Sequence, residues 1–458
     1  MSDDSSRSTW PIGTCQGQRG SLRSWNFATY LVRRDRRILR YALLALGIAA
    51  GAAAEDWPQW RGPRSDGTSL EPSLPTVWSR ARGVCWSADL PGEGHSSPVV
   101  SGGSVFVTTA LGDGRERALV RLDARSGKIL WTRVVARSSD LESLHHENAH
   151  ASSTPASDGR FVYTSFYESG RAQLAAVAFD GRVAWTATPL RYRSEHGYHH
   201  NPLLLGDLLV LSYDQLAEAA VVGIDTHSGQ LRWRTPLPND QCSNVAPFPV
   251  PTASGRLVVT VGDDVTRGLD PRDGRVLWKT SGPSRYCVAG TAYAAGILFV
   301  NGGYPDRRSL GLNVEAVPGG VVAAWESRKG TTYVPSPVGF GDHFYAVNDG
   351  GLATCWAART GQVRWQERLA GRYRASLVAA SGRLYATNDA GLTTVFKATP
   401  ERYEELARND VGELVYATPA LANGRIYIRS RNRLIAAGSC APVRTEGVVP
   451  GASLSSSR

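Results

Sequence analysis

Histidine is scarce in this chain and unevenly placed. Seven of the nine fall in three short stretches: His95 in GEGHSS, His145, His146 and His150 in LESLHHENAH (141–150), and His196, His199 and His200 in YRSEHGYHH (192–200). Neutral imidazoles suit zinc, copper and other divalent ions, so His145, His146, His150, His196, His199 and His200 form a candidate metal cluster. The competing reading is a polar channel mouth whose histidines satisfy backbone groups. No nucleophile elbow, phosphate-binding glycine loop or acid–base carboxylate pair accompanies them, and no catalytic residue is assigned.

What must position these loops is a repeat. VRLDARSGKILW (120–131) returns as VVGIDTHSGQLRW (221–233), VTRGLDPRDGRVLW (265–278) and LATCWAARTGQVRW (352–365), with weaker copies at 175–185 and 315–325. Its tryptophans, Trp131, Trp185, Trp233, Trp278, Trp325 and Trp365, are 40–54 residues apart. A four-stranded unit at that period predicts a propeller blade. Asp123, Asp225 and Asp270 sit beside the glycine hairpins, where capping the turn explains them. Eight strand starts, many preceded by Ser-Pro or Thr-Pro, run from SSPVV (96–100) to TPALA (418–422). The last unit, ending at RLIAAG (433–438), lacks a fourth strand, and an isolated strand around Trp86 lacks three. The two anomalies cancel if the N-terminal strand joins the C-terminal three. The expected fold is therefore all-β: an eight-bladed β-propeller of four-stranded antiparallel blades, closed by that strand, which also removes exposed sheet edges.

Outside the ring, Arg33–Arg37 precede an apolar run, Ile38–Gly51, and Ala52-Ala53-Ala54. This is the order of a signal peptide, about 32–54, within a leader 1–54, with cleavage expected after Ala54. The run is interrupted by Arg40 and is shorter than the ~20 residues of a membrane span. No span is expected once the leader is removed, and the protein is expected in the periplasm, the cell envelope or the medium. The formal net charge is +10, of which the leader carries +5; the remainder is scattered, which excludes a nucleic-acid surface. Residues 55–83, rich in Pro, Gly and Trp, read as an extended segment pinned by Trp57, Trp60 and Trp78 against the propeller, 84–440. The tail 441–458 is Ser/Gly-rich and is expected to be disordered.

The A-x-D-x-x-T-G-x-x-x-W style of the repeat resembles the pyrroloquinoline-quinone (PQQ) repeat of eight-bladed propellers, over roughly 84–438. Asp56-Trp57-Pro58-Gln59-Trp60-Arg61-Gly62-Pro63 is similar to the opening of exported PQQ-like propellers of planctomycete-type bacteria. The resemblance implies that the six repeat tryptophans dock neighbouring blades. It brackets function between the quinoprotein alcohol dehydrogenases and the propeller lipoprotein of outer-membrane protein assembly. The dehydrogenases stack an adjacent Cys–Cys pair on PQQ beside calcium; this sequence has no adjacent cysteines and no C-x-x-C-H. It also lacks a cysteine just after the leader for a lipid anchor.

Two cysteine pairs are candidates for disulfides. Cys85 and Cys440 lie on the two strands that meet at ring closure, and Cys242 and Cys287 lie in successive axial loops; Cys355 is left on an inner strand. Loops at the histidine-bearing face add Asp240, Asn244, Arg285, Tyr286, Lys329, Tyr333, Arg372, Tyr373, Arg374, Glu413 and Tyr416, a set that suits a protein or glycan partner as well as any wet propeller mouth. The reading is an exported, non-catalytic binding or assembly scaffold. Its alternative is an oxidoreductase using PQQ or a divalent metal at the same mouth.

Overall fold

Eight antiparallel sheets of four strands succeed one another along the chain, at 99–137, 156–191, 203–236, 248–281, 292–327, 338–368, 378–410 and 420–438, the last completed by Val84–Asp89. We number these blades 1 to 8. The computed structural model describes residues 55–80, 82–238, 243–252, 255–314, 320–438 and 440; the leader and the tail lie outside them. First strands of adjacent blades touch from blade 1 to blade 3 and from blade 5 to blade 8, and blade 8 returns to blade 1, so the first strands line an axis.

Burial follows from this arrangement. Second strands such as Ser104–Leu111 and Leu208–Tyr213 are buried along almost their whole length rather than alternately, because both faces pack on adjacent blades. Outer strands alternate: in Leu231–Pro236 only Trp233 is buried.

The tryptophans join blade to blade. The indole N–H donates to the next blade's hairpin from Trp131 to Phe179 O, Trp185 to Thr226 O, Trp233 to Pro271 O, Trp325 to Ala358 O and Trp365 to Thr399 O, at 2.7–2.9 Å. For Trp278 the corresponding hairpin, 315–319, lies outside the described residues. The hairpin glycine has two duties: Gly229 and Gly274 take φ near +70°, and a Cβ on either would come within 2.6 Å of the preceding blade's indole. Inside the blade a small residue faces the Trp across the sheet in blades 2 to 6, whereas Arg121 faces Trp131 in blade 1. Gly223 and Gly268 do so, and Cys355 does the same opposite Trp365, which accounts for its burial as a small apolar residue. Blade 7 replaces the tryptophan with Phe396 and Tyr403, which pack on Trp365. The turn aspartates cap as their positions suggest: Asp123 Oδ1 accepts from Ser126 N and Asp225 Oδ1 from Ser228 N, both at 2.8 Å.

Closure is by Val84–Asp89 pairing antiparallel with Arg433–Gly438, in register Ala88 to Leu434, with Trp86 Nε1 donating to Ala124 O of blade 1. A Cys85–Cys440 disulfide spans the two strands, Cα–Cα 5.0 Å. Cys287 is instead a free, buried thiol, pushed up to about 12 by burial, rather than half of a bridge; Cys242 lies outside the described residues.

Residues 55–79 form a strap across the far ends of the first strands, visiting the blades in ring order. Trp57 bridges Val100 of blade 1, Pro58 O accepts from Ser157 N of blade 2, and Gln59 Oε1 accepts from Leu204 N of blade 3. Arg61 donates to Pro337 O before blade 6, and Gly67 O accepts from Ala379 N of blade 7. Thr68–Ser69 pairs in parallel with the first strand of blade 7 as a fifth strand. Glu71 reaches the blade 8 hairpin. Gly62, at φ 83°, turns the strap so tightly that a Cβ would strike the Trp57 ring at 2.8 Å.

Candidate functional site

Opposite the strap, the connections between blades enclose an axial cavity of about 680 Å³. Its inner wall is a belt formed at the position two residues before each first strand. Thr418 N donates to Ser97 Oγ, Ser97 N to Thr154 Oγ1, and Thr154 N to Asn201 Oδ1. On the other side Gly290 N donates to Ser336 Oγ, Ser336 N to Ser376 Oγ, and Ser376 N to Thr418 Oγ1. Each side-chain oxygen thus satisfies the neighbouring blade's free amide, which is the physical reason for the recurring Ser-Pro and Thr-Pro. The belt has no side-chain acceptor at the equivalent positions of blades 4 and 5, Ala246 and Gly290. There Trp60 rises from the strap, its ring 3.1 Å from where a Cβ on Gly290 would lie, and lines the floor of the cavity. The Ser, Thr or Asn that recurs two residues before six of the eight first strands was the signal for this belt, and sequence reasoning missed it.

The mouth is shaped by the 141–150 connection, which reaches the connection before blade 7. Glu147 meets Arg374, whose Nε donates to Glu147 Oε2 at 2.9 Å with a second, shorter contact from Nη2 to Oε1. Arg372 stands 3.6 Å from the same carboxylate, and Asp389 lies 3.3 Å from Arg374 Nη1. The Arg374 bond holds the Glu147 carboxyl below its ordinary range, whereas burial raises that of Asp389. His95 packs edge-on against Tyr416, centroids 5.0 Å apart; burial and the nearby Arg429 and Arg431 push it down to about 4. Burial likewise takes His199 to about 4 and, aided by His146, lowers His145. At neutral pH these imidazoles are uncharged.

The candidate cluster divides. His145, His146, His196 and His199 line the cavity together with His95. His150 and His200 do not. His150 turns back to Glu142 Oε1 at 3.3 Å, beside the buried Arg117–Glu142 pair, because Gly114 leaves room for its ring. His200 is buried among Tyr192, Tyr198 and Tyr213 and bonds to Tyr192 OH at 3.1 Å. Of the other rim residues, Asn244, Tyr333, Arg372, Arg374 and Tyr416 line the cavity; Tyr373 is buried, Glu413 pairs with Arg433 and Tyr286 bridges Tyr304. Arg285 and Lys329 are absent from the lining, and Asp240 lies outside the described residues.

Read as a cluster, the histidines hide that residues 146–150 spell H-E-x-x-H. That spacing makes a zinc site on a helix, where residues four apart share a face. Here it falls in a turn and coil, and His146 and His150 diverge. What does converge is His145, His146 and Glu147, whose ligand atoms lie within 4.8 Å of one another. These two nitrogens and a carboxylate suit a transition ion, although Glu147 must first release Arg374. A calcium–quinone pair fits less well. Calcium takes six to eight oxygen ligands, whereas the acids of the lining are Glu147, clamped by Arg374, and Asp349, which accepts from Tyr333 N and Val334 N.

A sequence model described as outer membrane protein assembly factor BamB matches residues 76–152, 143–286 and 314–402. Among solved structures, BamB from Moraxella catarrhalis superposes with a TM-score of 0.54 at 13% identity, covering 77% of this chain and 98% of that one. The quinohemoprotein alcohol dehydrogenase from Comamonas testosteroni gives 0.55 at 12%, covering 88% and 84%. Sqt1 from Saccharomyces cerevisiae gives 0.54 at 12%, covering 81% and 100%. At these identities the likeness is one of fold. No curated protein sequence matches the chain.

Proposed function

The chain belongs to the PQQ-repeat family described as outer membrane protein assembly factor BamB, and from that membership we propose an exported, non-catalytic binding scaffold of the periplasm or cell envelope. Its partner, a protein segment or glycan, enters the axial cavity from the histidine-rich mouth. The observation that carries this reading is that three polar groups of the mouth, Glu147, His95 and His199, are fixed in protonation state. Glu147 is held ionised by Arg374, while His95 and His199, at about 4, stay neutral. General acid–base catalysis wants groups that titrate near the working pH; fixed donors and acceptors around a preformed pocket of ligand size serve recognition. Photo-crosslinking from position 416 in intact cell envelopes tests it. A discrete adduct that disappears with Arg374→Ala is expected; an envelope without adducts overturns it.

The second reading, a quinone- or metal-dependent oxidoreductase, draws support from the convergence of His145, His146 and Glu147. Stoichiometric zinc or copper, lost in a His145→Ala/His146→Ala variant together with dye-linked oxidation of alcohols, is its expected signature. Protein that stays metal-free and inactive after incubation with metals and PQQ overturns it.

A further inference from the structure

Glu71 is a buried carboxylate, 4% exposed, on the strap. Its oxygens accept from three backbone amides: Glu55 N at 2.8 Å, Asn423 N at 2.6 Å and Gly424 N at 3.1 Å. Among the described residues no lysine, arginine or histidine pairs with it. On the strap Arg64 is committed to the Glu55 side chain at 2.6 Å, and Arg383 and Arg425 donate to Leu74 O and Ala124 O. A carboxylate taken out of water without a cation is costly, and the usual remedy is an opposite charge in direct contact. One of the three donors can become that charge without moving. The nitrogen of Glu55 is the atom that cleavage after Ala54 would free.

We propose that Glu71 is the receptor for the α-ammonium of a mature chain that begins at Glu55. The inference rests on the export reading and is independent of what the cavity binds. Hydrolysis of the Ala54–Glu55 amide by an export-linked peptidase adds water across the C–N bond: Ala54 departs with the new carboxylate, and Glu55 keeps the nitrogen, which takes up a proton to become –NH₃⁺. The neutral amide donor on Glu71 is thereby replaced by a charge-assisted one. Since Glu71 also holds the Asn423–Gly424 hairpin of blade 8, leader removal ties the strap to the blade where the ring closes, next to the strand Val84–Asp89. The leader then has a second effect beyond targeting: while attached, it withholds the charge that fastens the closure.

Three proteins test this: the chain beginning at Glu55 with a free amine, the same chain Nα-acetylated, and the free-amine chain carrying Glu71→Gln. At pH 7 the free-amine protein is expected to melt several degrees above the acetylated one. Glu71→Gln should erase that gap. An α-amine ordinarily titrates near 8, and pairing raises it, so the advantage is complete below pH 8 and is lost as pH rises through the raised value. The charged or titratable neighbours are the Glu55 side chain, Asp56, Arg64 and Asp66 on the strap, Arg383 on blade 7, and Arg425 and Tyr427 on blade 8, the last pushed up to about 12 by burial and so neutral in that window. Equal melting of the free and acetylated proteins at pH 7, or a gap that persists unchanged at pH 10, overturns the receptor. An exported protein whose N-terminal sequence does not begin at Glu55 overturns the processing step. Should Glu71→Gln fail to fold, the acetylated and free-amine pair still decides.

Discussion

At the strap end of the axis the chain meets its blades through backbone groups, buried rings and buried charge, with Trp57 and Arg61 each 1% exposed. At the mouth it meets them through long side chains: Glu147 to Arg374 and Arg372, His95 to Tyr416. Both ends join residues from opposite termini or distant blades, yet they differ in what a substitution would remove. The strap end loses apolar burial and ordered backbone amides, which are large terms; the mouth loses partly solvated polar contacts, which are small for stability and large for recognition. One protein thus spends its rigid end holding the ring and leaves its polar end free to specialise.

That contrast can be broken in order of expected effect. Reducing the Cys85–Cys440 disulfide, which closes a loop of 355 residues, is expected to lower unfolding free energy by up to about 5 kcal/mol. The check is the urea midpoint with and without reductant, with Cys85→Ser as control. Trp57→Ala is expected to cost about 3–5 kcal/mol through the cavity it leaves under Gly62 and Val100; a loss below 1 kcal/mol in the same titration would show the strap to be a passenger. Arg374→Ala should cost about 1–3 kcal/mol, since it strands Glu147 and Asp389, while abolishing crosslinking from the mouth. Acidification gives the smallest effect and the opposite localisation. His95 and His199 fold with their affinity for protons depressed to about 4, below the unfolded value near 6.5. Their neutral burial therefore carries no penalty above about pH 6.5, and stability falls as pH drops from there towards 4. A His199→Asn variant should show a shallower decline of melting temperature over that window than the parent, and an unchanged slope would remove the mouth from the acid response.

Much of the ring was written in short-range pattern. The spacing from Trp131 to Trp365, the hairpin glycines and the unpaired ends at Trp86 and RLIAAG follow from strand geometry and edge pairing, which depend on neighbours along the chain or on the closure of a count. The mouth was only half legible for the converse reason. Composition located the histidines on one face, but a side chain's direction in a connection depends on what the adjoining blades leave open. Gly114 drew His150 inward, three tyrosines enclosed His200, and Arg374, more than 200 residues away, captured Glu147 from an H-E-x-x-H spelling. The strap shows the same division. Its tryptophans announced that it would be pinned, whereas its order of contact with the blades, its parallel pairing at Thr68–Ser69 and the burial of Glu71 against Asn423 and Gly424 are products of ring closure. Periodic sequence determines the blades because each repeat must bury the same faces; only the closed ring decides the axis, because its residues come from every blade at once.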